Sequence, residues 1–566
     1  MALVGIDLGT TNSLISVFTD DGPKLIKNGA GSFLTPSVVG HSDDGDILVG
    51  EAAKYRLITH PEKTVARFKR AMGTAKSYKL GKKDYKAEDL SALVLRALKA
   101  DAERELGEPV ESAIISVPAY FNDIQRKATY AAGKMAGLKV ERLINEPTAA
   151  ALAYGLSTKE DENTFLVIDL GGGTFDVSIL EIFDGVMEVR SSAGDAFLGG
   201  EDFTSAIEDH FLGQLKTTRD KVKPKQMGRL RDLANKAKLA LTDKPDVTVK
   251  YVDGSKEVEL TLSRDAFEEI TQKLQSRMRT PLQRAISDAG LRSADIDRVI
   301  LVGGATRMPV IRKMVTRLLK TFPEHSLDPD EVIALGTAVQ AGLLARHEAL
   351  EDIVMTDVCP FTLGTDIARE VGPNQYDSGY FQPIIERNTV IPASRVERNW
   401  VLTPGQDKAE ITIYQGESPR VEDNVRLGEL TVVVPKNNKE RESFDIRFTY
   451  DVSGVLEVLV TIVSTNETQQ LILEGNPGSL SQAEIAKRLK ALDKLKIHPK
   501  DQAENAATIN RIKAAYENHL GDIRTIIENN LVQFEQVLAK QNETDIKLAR
   551  ETVTKFLDEL DAMDVF

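Results

Sequence analysis

Two segments far apart in the chain repeat one pattern of apolar and polar positions. Residues 3–17 read LVGIDLGTTNSLISV, and residues 165–180 read FLVIDLGGGTFDVSIL. Each segment is an apolar run, a sharp Asp-Leu-Gly turn and a second apolar run. The pattern predicts a β-hairpin in both places, not the strand-to-helix turn of a P-loop.

The residues of the two turns indicate phosphate binding. Glycine lets backbone N–H groups approach phosphate oxygens closely, and threonine adds hydroxyl donors. Asp7 and Asp169 stand at strand ends, where a carboxylate can hold the water shell of a metal ion. One such turn is usually an ordinary turn, but two copies in the same register predict two lobes that clamp one nucleotide.

Strands and helices alternate through the first part of the chain, which is typical of an α/β domain. Strands are predicted at 113–117 and 299–302, and the second of these ends at a Gly-Gly loop. Apolar residues recur at helical spacing over 90–106, and a further helix is predicted over 126–138.

The pattern changes to strict alternation between residues 357 and about 475. Residues 444–450 and 456–462 alternate on either side of a turn and predict a hairpin with one buried face. Ile411 and the run 430–434 supply further strands. We expect a compact β-sandwich.

Helical periodicity returns after this region. Ser481 and Glu484 form a predicted capping box, and Pro499 ends that helix. Apolar residues over 509–538 mark one face of a long helix or a helix pair, and a last helix is predicted from about 545 to 563. The simplest interpretation of this stripe is the interior of a small helical bundle.

Composition narrows the functional classes. The 566 residues are 42% hydrophobic and 28% charged, with a formal net charge of −14. This balance is that of a globular protein of several domains and argues against nonspecific nucleic-acid binding. A single cysteine, Cys359, excludes an internal disulfide framework. No long apolar run predicts a membrane span, and a first strand at Leu3 leaves no room for a secretory leader, so we expect a cytoplasmic protein.

Phosphoryl transfer to water requires neutralised phosphates, a metal and an oriented water. The P-loop pattern, the dinucleotide pattern GxGxxG and the kinase glycine loop are all absent. A cation at the γ-phosphate and a carboxylate for the water would complete the two Asp-Gly turns. Lys69 and Glu146 are candidates, although spacing alone does not select them.

Several longer phrases are characteristic of one family. They are GIDLGTTNS at 5–13, FKR at 68–70, VPAYF at 117–121, INEPTAAA at 144–151, IDLGGGTFDV at 168–177, LVGGATR at 301–307, DPDE at 328–331, RNT at 387–389 and YQGE at 414–417. Along essentially its whole length the chain resembles the seventy-kilodalton heat-shock (DnaK-type) chaperones, most of all a short, specialised bacterial paralogue of the HscC kind. Actins and sugar kinases share the first hairpin but not the β-domain.

The resemblance implies an α/β actin-like two-lobed ATPase domain followed by a β-sandwich and a short α-helical lid. The implied boundaries are 1–349 for the nucleotide-binding domain, 350–358 for the linker, 359–476 for the substrate-binding sandwich and 477–566 for the lid. It also implies ATP/ADP and Mg²⁺ as cofactors, with K⁺ beside them.

Motif by motif, the resemblance assigns roles to single residues. Catalysis is assigned to Asp7, Lys69, Glu146, Asp169 and Thr174, and the cation, held mostly through water, to Asp7, Asp169 and Asp176. Nucleotide contacts are assigned to Gly9, Thr10, Thr11, Asn12, Gly171, Gly172, Gly173, Lys238, Thr242, Gly303, Gly304, Arg307 and Asp330.

The adenosine-contacting helix departs from the family pattern. Where the family usually has Glu and Arg flanking the base, this chain has Asn235 and Leu239. Leu239 removes the planar cation that stacks on adenine. We therefore expect ATP binding to survive, with weaker affinity or faster exchange.

The linker departs as well. Ile353, Val354 and Met355 are followed by Thr356 where the family continues with large aliphatics before Asp357. The segment is either a short edge strand or a segment that docks on the ATPase domain in one nucleotide state, and Thr356 should weaken that docking modestly. Arg142 and Asp357 match positions that the family uses for interdomain coupling and for J-domain contacts.

The predicted client cleft is smaller and more polar than the family norm. The cleft positions read Thr365, Asn399, Leu402, Ala409 and Ile411, and the chain is longer than usual between 365 and 383. Burial of a client's Leu or Ile contributes roughly 1.5–3 kcal/mol per filled pocket, so fewer apolar walls should narrow the client range.

The implied partners are client polypeptides, a J-domain co-chaperone and a nucleotide exchange factor, with the chain a monomer that binds neither nucleic acid nor membrane. The chain ends at Phe566 without an acidic tail or an EEVD ending, so co-chaperones that read that ending are not expected. Two alternatives stay open: a nucleotide-gated binding module with little turnover, and an actin-like sugar kinase.

Overall fold

The computed structural model describes most of the chain. The described residues are 2–155, 163–183, 186–253, 256–324, 327–347, 350, 354–372, 375–437, 439–451, 454–474, 490, 496, 498–519 and 522–563. They form two compact units, one made of residues 1–361 with 386–391 and the other of 362–385 with 392–566. The predicted capping box at Ser481 lies outside the described residues.

The strands are numbered in chain order. The first eighteen are β1 (Ala2–Asp7), β2 (Asn12–Thr19), β3 (Gly22–Leu25), β4 (Thr35–Pro36), β5 (Val38–His41), β6 (Ile47–Val49), β7 (Thr64–Ala66), β8 (Ser77–Leu80), β9 (Lys83–Lys86), β10 (Val110–Val117), β11 (Lys139–Asn145), β12 (Asn163–Leu170), β13 (Phe175–Phe183), β14 (Val186–Asp195), β15 (Asp246–Asp253), β16 (Lys256–Ser263), β17 (Arg298–Val302) and β18 (Val354–Val358). They are followed by β19 (Leu363–Gly372), β20 (Gln375–Ile385), β21 (Val390–Ile391), β22 (Ala393–Trp400), β23 (Lys408–Gln415), β24 (Val425–Val433), β25 (Ser443–Tyr450), β26 (Leu456–Ile462) and β27 (Thr468–Leu473).

The α-helices are numbered in the same way. They are α1 (Glu51–Lys54), α2 (Arg56–Thr59), α3 (Ala87–Leu106), α4 (Asp123–Met135), α5 (Glu146–Gly155), α6 (Gly200–Gln214), α7 (Pro224–Ala240), α8 (Arg264–Ile270), α9 (Gln272–Asp288), α10 (Pro309–Leu319), α11 (Val332–Leu344), α12 (Ala503–Asn518), α13 (Asp522–Lys540) and α14 (Glu543–Met563). Within the described ranges, no helix is long and apolar enough to cross a membrane.

The first unit contains the same sheet core twice. In one sheet β1 pairs antiparallel with β2 and parallel with β10; in the other β12 pairs antiparallel with β13 and parallel with β17. The complete orders are β11-β10-β1-β2-β3, with β4 beside β2, and β17-β12-β13-β14-β18-β21. Both repeated phrases of the sequence therefore form the predicted hairpins, and the mixed α/β, actin-like class is confirmed.

Two apolar helices join the repeats. Helix α11 packs against α5 and against β1, and a Cβ on Gly336 would lie 1.7 Å from the Ala149 carbonyl oxygen. Only glycine allows so close an approach of the two helix backbones. One apolar cluster includes Ile114 from the first sheet and Val167 from the second. This packing holds both hairpin turns in fixed positions.

The linker segment forms a strand of the second sheet of the first unit, between β14 and the short strand β21. Strand β18 pairs in parallel with β14, with Thr356 opposite Glu188, and its end pairs with β21. Ile353 and the side chains of Val354 and Met355 lie outside the described part. The loop around β21 also joins this unit: Arg387 donates to Asp288 at 2.8 Å, and the Ser192 N–H donates to Asn388 at 3.0 Å.

The second unit contains a β-sandwich and a helical bundle. One sheet has the order β20-β19-β23-β24 and the other β22-β25-β26-β27. The predicted hairpin over 444–462 is present, with Phe444 opposite Ile462. Most of the segment 365–383 lies in β19 and β20, which pair antiparallel with register shifts at three points.

The helical segments differ from the sequence prediction mainly at their ends. Helix α4 begins at Asp123, three residues before the predicted start, because Asn122 and Gln125 cap it reciprocally. The stripe over 509–538 divides into α12 and α13, which pack with α14 around Ile527 and Phe534. Burial of one apolar face from each helix makes this bundle.

Candidate nucleotide site

The glycine turns of the two hairpins lie against each other. A Cβ built on Gly172 would stand 2.0 Å from the Thr11 hydroxyl, and one on Gly173 would stand 2.8 Å from the Thr10 hydroxyl. Within the first turn, a Cβ on Gly9 would stand 2.0 Å from the Asn12 carbonyl oxygen. Side chains at these glycines would push the turns apart. The structure therefore brings together the two turns that the sequence predicts to hold phosphate.

A cluster of buried charged groups lies beside these turns. Asp7 ends β1, Asp169 and Asp176 face each other across β12 and β13, and Glu146 is the first residue of α5. Lys69, in the turn Phe68–Ala71, donates from Nζ to Glu146 Oε1 at 2.7 Å. All five side chains are buried. Four carboxyl groups and one ammonium group thus share a buried site.

Neighbouring polar groups orient some of these carboxylates and leave others open. Ser116 donates to Asp7 at 2.8 Å, and the Tyr120 N–H donates to Asp176 at 3.0 Å. One oxygen each of Asp169 and Asp176 is buried without a hydrogen-bond partner among the described residues. A buried oxygen in this condition is costly unless a ligand satisfies it.

The pKa values in the cluster record an excess of negative charge. Burial, with Glu146 second, raises the pKa of Asp7 to about 7 and that of Asp176 to about 8. The same two causes raise the pKa of Asp169 well above its usual range. Lys69 opposes these shifts but does not cancel them.

A divalent cation fits this donor set. It would neutralise the excess charge and satisfy the open oxygens of Asp169 and Asp176. Within the described ranges, no group of three acidic, His or Cys side chains is close enough to hold a metal directly. The arrangement suits a hydrated Mg²⁺ held through its water shell.

The third glycine loop lies next to the same cluster. Gly303 follows β17, and a Cβ there would stand 2.8 Å from Asp169 Oδ1. A Cβ built on Gly304 would stand 2.4 Å from Asp330 Oδ1. Arg307 donates to Asp330 at 3.0 and 3.1 Å and also pairs with Asp328. Asp330 therefore holds the guanidinium plane beside the glycines.

Helix α7 and the residues directly after it carry the predicted adenosine-contacting positions. Lys238 is buried and donates to the Gly200 carbonyl at 3.0 Å and to the Thr204 hydroxyl at 2.7 Å. Burial lowers its pKa to about 8. Leu239 is 60% exposed, and the Thr242 carbonyl accepts from Arg264 at 2.7 Å. Leu239 occupies the position to which the family resemblance assigns a stacking cation, and its side chain is exposed.

The side-chain amide of Asn145 connects the linker to the start of α5, beside the cluster of buried charges. Asn145 donates to both oxygens of half-buried Asp357, at 3.1 and 3.3 Å, and is followed directly by Glu146. Arg126 donates to the side-chain oxygen of Asn145 at 2.7 Å and so fixes the amide. Burial raises the pKa of Asp357, and the charge of Arg142 opposes this.

The predicted client positions lie in the sandwich. Thr365 pairs with Ile413, so it shares one face of the sheet with Ile411 and Ala409. All three predicted positions on this face are buried, and the Thr365 hydroxyl donates to the Thr412 carbonyl at 2.9 Å. Leu402 is 40% exposed. The Asn399 amide nitrogen is buried without a partner among the described residues.

Three residues at the site were missed by sequence reasoning. Ser116, Asn145 and Arg126 make the hydrogen bonds described above but carry no signal of their own. Ser116 was visible only as a polar residue inside an apolar strand, and Asn145 only as the neighbour of Glu146. Their roles depend on which strand ends meet in space.

Comparison with known proteins identifies the family of the chain. A sequence model of the family described as "Hsp70 protein" matches residues 3–79 and 75–564. The chain is 40% identical to the chaperone protein DnaK of Thermosipho africanus over 545 residues, which cover 94% of this chain and 88% of that protein. It is 38% identical to DnaK of Thermotoga neapolitana, covering 98% and 95%, and 40% identical to DnaK of Mycoplasma mobile, covering 87% and 82%. With this coverage and the paired glycine turns, the chain belongs to the Hsp70 family of ATP-dependent chaperones.

Proposed function

We propose that this Hsp70-family chaperone hydrolyses Mg²⁺-bound ATP between its two hairpin turns and uses the hydrolysis to time its hold on client polypeptides. The observation that carries the proposal is the Lys69–Glu146 pair, set at 2.7 Å among three buried aspartates beside the touching turns. A polyphosphate and its cation would satisfy this set of buried charges.

Each residue of the cluster has a role that follows from its position. Lys69 would hold a γ-phosphate oxygen, and its ammonium already lies in a low-dielectric site where such contacts are strong. Glu146 would orient the attacking water and receive its proton. Asp7, Asp169 and Asp176 would hold Mg²⁺ through water, and the ion would supply neutralisation of the phosphate charges. We assign K⁺ to the same phosphate region.

The hydrogen bonds of Asn145 suggest how the site communicates with the linker. Asn145, the residue directly before Glu146, donates its side-chain N–H to Asp357. A shift of Glu146 on hydrolysis would move this amide and weaken its hold on Asp357. We assign interdomain coupling to this contact, with Arg142 contributing charge and a J-domain partner acting on the same surface.

The polar client cleft supports a narrower client range than that of a general chaperone. An apolar client side chain at Asn399 would leave the buried amide unsatisfied. We further propose that the chain acts as a cytoplasmic monomer with an exchange factor. Affinity for a standard Leu-rich peptide equal to that of a general chaperone would contradict the narrow range.

The site is tested with Lys69→Ala. Single-turnover hydrolysis should be abolished while fluorescent ATP still binds, because the residue acts on the γ-phosphate and the glycine turns remain. Exposed Lys54→Ala is the matched control and should hydrolyse normally. Persistent turnover in Lys69→Ala would overturn the site assignment, and stimulation by a sugar instead of a peptide would overturn the chaperone cycle.

A further inference from the structure

The turn that carries Lys69 is tied to helix α6 on both flanks. On one side Arg67 donates to Glu201 at 3.2 Å. On the other side Arg70 donates to both oxygens of Asp202, at 3.1 to 3.3 Å, and to the Phe197 carbonyl at 2.6 Å. Glu201 and Asp202 lie in the first turn of α6.

Helix α6 in turn begins on the second phosphate turn. The Gly200 N–H donates to the Gly171 carbonyl and the Glu201 N–H to the Gly172 carbonyl, both at 2.9 Å. The ion pairs therefore connect the Lys69 segment of the first lobe with the phosphate turn of the second. The Lys69 segment cannot move away from the second phosphate turn unless these ion pairs break.

Arg67 has a strained backbone conformation. Its φ of +62° is in the left-handed region, which is sterically unfavourable for a residue other than glycine. The strained residue directly precedes the turn Phe68–Ala71. Observed strain at such a place points to a function for the side chain.

Glu201 is held ready for this contact by its own lobe. Arg231 pairs with the same carboxylate oxygen and also with Glu208, at 2.6 Å. Burial alone would raise the pKa of Glu201, but Arg231 and Arg67 outweigh it and lower the pKa. The carboxylate is thus charged and fixed, and Arg67 is the partner that comes from the other side.

We propose that Arg67 is a positioning residue that closes the nucleotide cleft, so that its ion pair with Glu201 sets the rate of ADP release. The proposal rests on the proposed function, that nucleotide binds between the two turns. Among the described residues, Arg67 donates one side-chain hydrogen bond and is 37% exposed, whereas Arg70 donates to both oxygens of Asp202 and is 23% exposed. The Arg67 contact is therefore the one that salt should weaken first.

The experiment follows release of a fluorescent ADP from the full-length protein after a chase with unlabelled ATP. Arg67→Gly deletes the charge and accepts the positive φ, so the fold should survive. We expect release about twofold to fivefold faster. The wild-type rate should increase with salt and the variant rate much less. Arg67→Lys, which restores a charge of the same sign, should recover part of the retention.

A matched control separates the ion pair from relief of strain. Arg346 also has a positive φ, +55°, and is exposed beyond the end of α11. Arg346→Gly should leave ADP release unchanged. Unchanged release in Arg67→Gly, equal acceleration in Arg346→Gly, or an undiminished salt dependence would each overturn the role of Arg67. Failure of the wild-type protein to bind ADP would instead overturn the proposed function.

Discussion

Thr356 offers a direct test of linker docking. It lies in β18 opposite Glu188 of β14, and its hydroxyl is buried without a hydrogen-bond partner among the described residues. In a released linker the same hydroxyl is hydrated. The docked state alone therefore carries the penalty for the unsatisfied group.

The change Thr356→Val replaces this hydroxyl with a methyl group of similar size. An unsatisfied buried hydroxyl costs about 1–3 kcal/mol, so the valine should favour docking by a similar free energy. Since about 1.4 kcal/mol is a factor of ten, the docking equilibrium should shift by about fivefold to a hundredfold. The variant should stay docked through more of the nucleotide cycle.

Hydrogen exchange of the linker amides measures docking directly, because parallel pairing with β14 protects them. Protection in Thr356→Val should increase, most of all in the nucleotide state in which the wild-type linker is released. Thr356→Ser keeps the hydroxyl, loses the methyl group and should reduce protection. Equal protection in the wild type and the valine variant would refute the reasoning.

Further predictions concern the nucleotide and the client. Leu239→Arg should slow ATP release about twofold to thirtyfold by restoring a stacking cation, while Leu239→Ala should not; release kinetics that are unchanged in both variants would contradict the adenosine assignment. Without Mg²⁺ and nucleotide, the melting temperature Tm should decrease as the pH rises from about 4 to about 8. The reason is that burial keeps the pKa of Asp7 at about 7 and of Asp176 at about 8, so the folded state binds more protons than the unfolded chain and loses stability as they leave. Asp176→Asn should flatten this profile, and a Tm that rises over the interval would be inconsistent with the cluster. Asn399→Phe should increase affinity for a Leu-rich peptide in a fluorescence-anisotropy titration, with exposed Trp400→Phe as its control; a decrease would show that the amide does not limit apolar clients.

Local pattern and local structure agree well in the two hairpins. A buried strand, a glycine turn and a second strand form from contacts between residues near each other in the chain, so the pattern suffices. Helix α4 was predicted less well, since its start depends on the reciprocal bonds of Asn122 and Gln125 and not on apolar spacing. The apolar stripe over 509–538 did not distinguish one long helix from a pair of helices, because either arrangement would bury the same apolar face.

Residue types at short spacing were enough to establish the hairpins, the change from α/β to alternating strands, and, through the motifs, the family. The folded chain was needed to learn that Lys69 pairs with Glu146, that Asn145 bonds to Asp357 beside the cluster of buried charges, and that Arg67 pairs with Glu201. Each of these pairs unites strand or helix ends that are far apart in the chain. Their proximity follows from how α5 and α11 pack the two sheets together, and residue spacing does not record that packing.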